Sequence, residues 1–218
     1  MTRVTGAVPR HPRLSDGDDP SGTMEAMTDP GEPPCAFRHL DEDAATLLTA
    51  YRPATAEQER QRRRVLDHLH RTPKASWRGS GPVHLTASLL VLAPDGAHVL
   101  LARHRKARLW LQLGGHLEAT DTDVRAAAER EGCEESGLSG LRALPTLVDV
   151  DCHTLGPGFA CREHLDLRFA ATADPAAATT TSAESDDLGW FPATDLPAGT
   201  GGDVPRLVAA ARAAVRAG

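Results

Sequence analysis

The chain has 218 residues, enough for one ordinary domain with extensions and short for two full domains. Its 40% hydrophobic and 25% charged residues are the balance of a soluble globular protein. A net charge of -6 excludes the broad basic field of a general nucleic-acid or membrane-surface binder.

No apolar run approaches the length of a membrane span, and the N-terminal segment has no apolar stretch of signal-peptide type. A cytoplasmic location is therefore expected. There Cys35, Cys133, Cys152 and Cys161 stay reduced.

In chain order, residues 1–36 are rich in Pro, Gly, Asp and Ser without periodicity, which predicts a disordered tail. Residues 37–76 read as a helical extension. Leu40, Ala44, Leu47, Leu48 and Tyr51 recur at helical spacing, Pro53 breaks the pattern, and Thr55 is placed to cap a second helix bearing Val65, Leu66 and Leu69. The QRRR run within it reads as a solvated face. The main domain is expected over 77–218. HLTASLLVLA and HVLLARH, joined by Pro94-Asp95-Gly96, predict a hairpin. Residues 122–136 carry a helix pattern. TLVDVDCHTL and REHLDLRFAAT alternate as half-buried strands, PAAATTTSAES is a low-complexity loop, and LGWFP is a short strand. A last helix spans 203–216. Strands interrupted by one helix and closed by another predict a mixed sheet between helical layers.

The stretch from Leu113 to Leu138 carries the chemistry. Glu131, Glu134 and Glu135 are spaced i, i+3, i+4, which puts them on one helical face. Carboxylates so close repel one another unless a cation lies between them, and Mg²⁺ takes oxygen ligands while keeping room for water and phosphate. Arg130 is placed to brace Glu134. Gly114-Gly115 permits a tight bend before the helix, and Gly137 is placed to end it.

This stretch resembles the Nudix box, G-x5-E-x7-R-E-U-x-E-E-x-G-U with U aliphatic. Gly115 matches the first glycine, and Arg130-Glu131, Glu134-Glu135, Gly137 and Leu138 match the second half. Flanking segments HLTASLLVLAPDG, HRKARLWLQLGGH, VDVDCH, HLDLRF and LGWFPATDLP also resemble bacterial Nudix hydrolases with a GGH box. The sequence departs from the pattern at four points. Asp121 replaces the first Glu, and eight residues rather than seven separate it from Arg130. Gly132 takes an aliphatic position, which predicts a lost core contact and a weaker helix, and Leu113 stands where Pro is common.

The resemblance implies an α+β fold, a Nudix-like α/β/α sandwich with a mixed central sheet. It implies a pyrophosphohydrolase using Mg²⁺, with Mn²⁺ as a substitute ion. It makes Glu131, Glu134 and Glu135 metal ligands, with the Gly115 carbonyl as an addition. One of these glutamates or Glu118 is the candidate base, and Arg130 holds the loop to the helix. Arg103, His104, Arg105, Lys106 and Arg108 precede the box; they read as phosphate-attracting or as a solvated hairpin end. His116, His153, His164 and Asp166 are candidates to line the cleft, although a structural His is the commoner case for each. Cys152, His153, Cys161 and His164 have a loosely zinc-like spacing but lack defined pairs on turns, so zinc is not expected there.

The expected substrate is a nucleoside diphosphate linked to another moiety, or a related small phosphoanhydride. No membrane or nucleic-acid partner is expected, and a homodimer is compatible with the sequence. Two alternatives stand beside this reading. A non-catalytic Nudix ligand sensor would be marked by missing box carboxylates. An isomerase of the isopentenyl diphosphate type needs a dedicated Cys and a His/Glu metal cluster, which the sequence does not display in that family's contexts.

Overall fold

The structure, a computed structural model, describes residues 36–217. The tail expected over 1–36 lies outside them except for Ala36. Two helices come first. Helix α1 (Arg38–Ala50) buries Leu40, Ala44 and Leu48, the stripe its 3.6-residue period dictates. Helix α2 (Ala56–Arg71) starts at Thr55. Its side chain accepts from the Gln58 amide while the Gln58 side chain accepts from the Thr55 amide, a reciprocal capping box.

Seven strands follow among the described residues: β1 (Val83–Leu92), β2 (His98–His104), β3 (Leu109–Leu111), β4 (Leu113–His116), β5 (Asp149–Thr154), β6 (Glu163–Thr172) and β7 (Ser185–Pro192). They form one mixed sheet in the order β3-β2-β1-β6-β5, with β4 on β1 and β7 on β2. The hairpin anticipated between β1 and β2 forms, but Cα partners occur at Val91↔Leu100 and Leu92↔Val99 alone. The rest of that edge of β1 is taken by β4, from Thr86↔His116 to Leu89↔Leu113. Strand β6 runs parallel to β1 along its whole length.

The continuous apolar run in β1 is explained by burial on both faces. Leu85, Ala87, Leu89 and Val91 join α1, α2 and helix α3 (Val124–Ser136) in one core. Leu90 and Leu92 join Val204, Leu207, Val208 and Ala211 of helix α4 (Val204–Ala217) in the other. Each such Leu contributes about 1.5–3 kcal/mol by leaving water.

Helix α4 covers only part of its face of the sheet. Along the same face β1 continues as Ser88, Thr86 and His84, and that stretch is open as a cleft. The helical extension braces the other side. Asp43 accepts from the Val124 amide at the start of α3, at 2.9 Å, and His39 bonds the Asp121 carbonyl at 2.8 Å. From α2, the Gln61 side chain accepts from the Cys152 amide, which satisfies a donor on the outer strand β5.

Candidate active site

Helix α3 is placed by its caps. The Asp123 side chain accepts from the Ala126 amide at 2.8 Å, and Gly137 ends the helix in the left-handed region at φ 70°. Its N-terminus thus falls two residues later than the pattern suggests. The preceding strand β4 runs through Gly114-Gly115, where backbone approach requires the first glycine and the second lets the Glu131 side chain come close. A Cβ on Gly114 would lie 2.7 Å from the Ala87 carbonyl oxygen, and one on Gly115 would lie 2.7 Å from the Glu131 carboxylate.

The box carboxylates sit in three different environments. Glu131 lies against Gly115, and Glu135 accepts from the Gly114 amide at 2.9 Å. Burial pushes each of them up to about 7; at Glu131 the Arg130 charge offsets part of this while Glu134 and Glu184 add to it, and at Glu135 the Gly114 amide offsets part while Glu131, Glu184 and Glu134 add to it. One half-buried and one buried carboxylate at one glycine pair make an excess of negative charge that a divalent cation fits. Glu134 is 60% exposed and 3.3 Å from Arg130. Of the three, Glu135 reaches the lining of the cleft.

Arg130 holds the loop to the helix by a bidentate pair with Asp121, at 2.9 and 3.0 Å, and by donating to the His116 carbonyl at 2.9 Å. The Asp121 side chain also accepts from the Glu118 amide. Asp121 is therefore the buried anchor of the loop. Glu118 is 59% exposed and lies 3.9 Å from Arg130, outside the cleft lining.

The cleft, of about 1320 Å³, opens on the polar stretch of the sheet. Strand register builds its floor as three rungs across β1, β6 and β5. These are His84↔His164↔His153, then Thr86↔Asp166↔Asp151, then Ser88↔Arg168↔Asp149. His116 enters opposite Thr86. The structure thus brings together His116, His153, His164 and Asp166, as the sequence suggests.

Asp166 is fully engaged there. It accepts from Thr86, Ser88 and Arg168 at 2.7–3.0 Å, and despite burial the Arg168 charge holds it below the usual carboxylate range. His153 bonds Asp151 at 3.1 Å; burial opposes its protonation, but that bond and the Asp166 charge win and raise it. His164 is lowered to about 3 and His116 to about 4, by burial first and neighbouring imidazoles second.

The basic segment divides. Arg105 and Lys106 line the cleft, the former paired with Asp186 at 2.8 Å and the latter over the Phe159 ring. Arg103 does not line it, because alternation in β2 gives that face to Ala102 and His104; Arg108 is also outside. The loosely zinc-like set is broken by the same rule. Cys152 and His153 are consecutive on a strand and point to opposite faces, with Cys152 packed on the helical core.

Two features escaped the sequence reading. One is His84, a single histidine at the head of an apolar strand. The other is the buried ion cluster of Arg168 with Asp149, Asp151, Asp166 and Asp203. Its signal was present as charges at i, i+2 in strands otherwise apolar.

Residues 82–211 match the NUDIX domain family model. The chain belongs to the Nudix hydrolase family. Its enzyme class is pyrophosphohydrolase. The match begins after α1 and α2, which leaves both outside the family's part of the chain. Among solved structures, a Nudix-family hydrolase from Clostridium perfringens is 25% identical with a TM-score of 0.46, covering 62% of this chain and 97% of its own. An Ap4A hydrolase from C. elegans is 16% identical with a TM-score of 0.50, covering 62% and 98%; it shows the shared fold. A MutT Nudix hydrolase from Burkholderia pseudomallei is 23% identical with a TM-score of 0.48, covering 58% and 96%. No curated protein matches the sequence. No helix among the described residues is long and apolar enough to cross a membrane.

Proposed function

We propose that this Nudix hydrolase cleaves a phosphoanhydride bond with Mg²⁺, in a nucleoside diphosphate linked to another moiety. The observation that carries this is the pair of carboxylates of α3, half-buried Glu131 and buried Glu135, packed against the Gly114-Gly115 strand beside a polar cleft lined by Lys106 and Arg105. Glu131, Glu134 and Glu135 would hold the ion, with the Gly115 carbonyl as a further oxygen. When bound, Mg²⁺ neutralises phosphate charge and acidifies water.

The chain's own residues then do the remaining work. Arg130 fixes the loop through Asp121 and sets the direction of Glu131 and Glu134. Glu134 and Glu118 are both exposed beside Arg130 and both lie off the cleft lining, so the proton acceptor is one of the box glutamates or Glu118. Lys106 and Arg105 attract the polyphosphate, and the cleft floor through His116, His153 and His164 meets the rest of the substrate.

The sensor reading is not favoured, since no box carboxylate is missing. The cysteine-histidine cluster in the cleft contains no glutamate, the composition the isomerase reading needs. A turnover assay with nucleotide sugars, dinucleoside polyphosphates and nucleoside triphosphates, with and without Mg²⁺, tests the proposal. Release of phosphate or nucleotide only with the metal is expected. A folded protein inert toward every phosphoanhydride would refute it.

A further inference from the structure

Among the described residues, the ligand atoms of His84, His116, Cys161 and His164 lie within 4.8 Å of one another. They come from four places: the head of β1, the end of β4, the loop before β6, and β6 itself. The three imidazoles form a triangle with centroids 5.1–5.2 Å apart, and Cys161 Sγ lies 3.3 Å from His164 Nε2 and 4.0 Å from His116 Nε2.

A hydrogen-bonded histidine cluster explains three of these side chains but not His84. Its ring is 1% exposed, and its Nδ1 faces the Gly81 carbonyl at 3.2 Å. A carbonyl only accepts, so Nδ1 carries the proton and Nε2 presents a bare lone pair. That lone pair is buried and has no partner. Leaving such an acceptor unmatched costs about 1–3 kcal/mol. A metal-bound histidine has the same arrangement, with its outer nitrogen donating to a carbonyl and its inner one ligating.

We propose that these four side chains bind one Zn²⁺, in a site separate from the carboxylates of α3. The donor set of three imidazoles and one thiolate suits a borderline-soft ion and not Mg²⁺. Tetrahedral zinc with bonds of about 2.0–2.3 Å holds its ligand atoms about 3.3–3.8 Å apart. The four atoms therefore close by about an ångström on binding.

Four protein ligands leave no open position, so the ion shapes the cleft and activates no water. It ties the 155–162 segment, whose Phe159 faces His104 and Lys106, to the cleft floor. It also touches the box through His116, whose carbonyl accepts from Arg130.

Cobalt titration of the reduced full chain, freed of metal, tests this. One equivalent of Co²⁺ should give tetrahedral visible bands with a thiolate-to-metal charge-transfer band in the near ultraviolet, and one equivalent of Zn²⁺ should abolish both. Cys161→Ser should remove the charge-transfer band, and His164→Ala should weaken Zn²⁺ binding by on the order of 100-fold or more. The double variant Glu134→Gln/Glu135→Gln should leave the spectrum unchanged. An octahedral spectrum from the wild-type chain overturns the site without any variant. So does a charge-transfer band that survives in Cys161→Ser, or a spectrum lost in the box variant.

Discussion

Glu131 and Glu135 show how one residue type takes its chemistry from position. Both are held near the main chain of Gly114-Gly115, and burial pushes both up to about 7. A carboxylate whose folded pKa lies above its unfolded value favours the fold when protonated. That contribution is complete below about pH 4 and is lost as the pH rises through about 7. In the proposed function Mg²⁺ binds the ionised pair, so the rise in melting temperature on adding Mg²⁺ should be small near about pH 5.5 and large near about pH 8. A gain independent of pH would show that the ion binds elsewhere. In Glu134→Gln/Glu135→Gln, circular dichroism should stay native while Mg²⁺-dependent turnover falls by on the order of 100-fold or more. At the cleft rim, Arg105→Glu and Lys106→Glu should raise KM more than they lower kcat, because these charges hold ground and transition states alike. Lys106→Glu is the sharper test, since Arg105 already spends part of its charge on Asp186.

At the scale of elements, the interface of α3 with β1 explains a residue that looks like a defect in the sequence. Gly132 stands at an aliphatic position of the box and is expected to cost a core contact. In the structure the space is already filled: a Cβ there would lie 2.7 Å from Leu89 Cδ2 and 3.3 Å from Leu141 Cδ1. The glycine lets helix and strand approach closely, and its lower helix propensity is offset by that packing. Gly132→Ile, which restores the family pattern, should therefore destabilise the fold by about 1–3 kcal/mol through overpacking. Urea denaturation measures this, and an increase in stability would show that the helix can move outward at no cost. The same element depends on α1, whose Asp43 accepts from the Val124 amide at the helix start. The helical extension thus supports the box from outside the family-matched residues.

Across the whole molecule, the buried ion cluster joins what lies far apart in sequence. Arg168 is 2% exposed and pairs with Asp149, Asp151, Asp166 and Asp203, while Arg206 of α4 adds bonds to Asp149 and Asp151 at 2.9 Å. Gln58 of α2 reaches the same Asp149 at 2.8 Å. Strands β5 and β6, helix α4 and the extension therefore share one electrostatic centre beneath the cleft. Arg168→Met removes the cation and leaves buried carboxylates facing one another, so a loss of about 3–5 kcal/mol is expected at neutral pH. The deficit should shrink as the pH falls and those carboxylates take up protons. A loss that does not change with pH would mark Arg168 as a packing residue only.

Much of this was legible in the chain itself. The start of α2 at Thr55 and the end of α3 at Gly137 follow from residues that act on neighbours within a few positions, whereas α3 begins two residues later than its pattern, at the Asp123 cap. The i, i+3, i+4 glutamates share a helix face for the same local reason. Alternation within a strand likewise separates Cys152 from His153 and Arg103 from His104. No local rule decides which strands meet, or at what register. The parallel pairing of β1 with β6 sets His84 beside His164 across 80 residues of chain, and β4 brings His116 to the same place by displacing β2 from half of an edge. A one-residue slip in either pairing would turn those side chains to the helical core. The burial of Leu85, Ala87, Leu89, Leu165 and Leu167 on that core forbids the slip. Sequence thus determined the box and its helix, whereas the histidine triangle and the Arg168 cluster arose from long-range register, which is held by apolar burial on the opposite face.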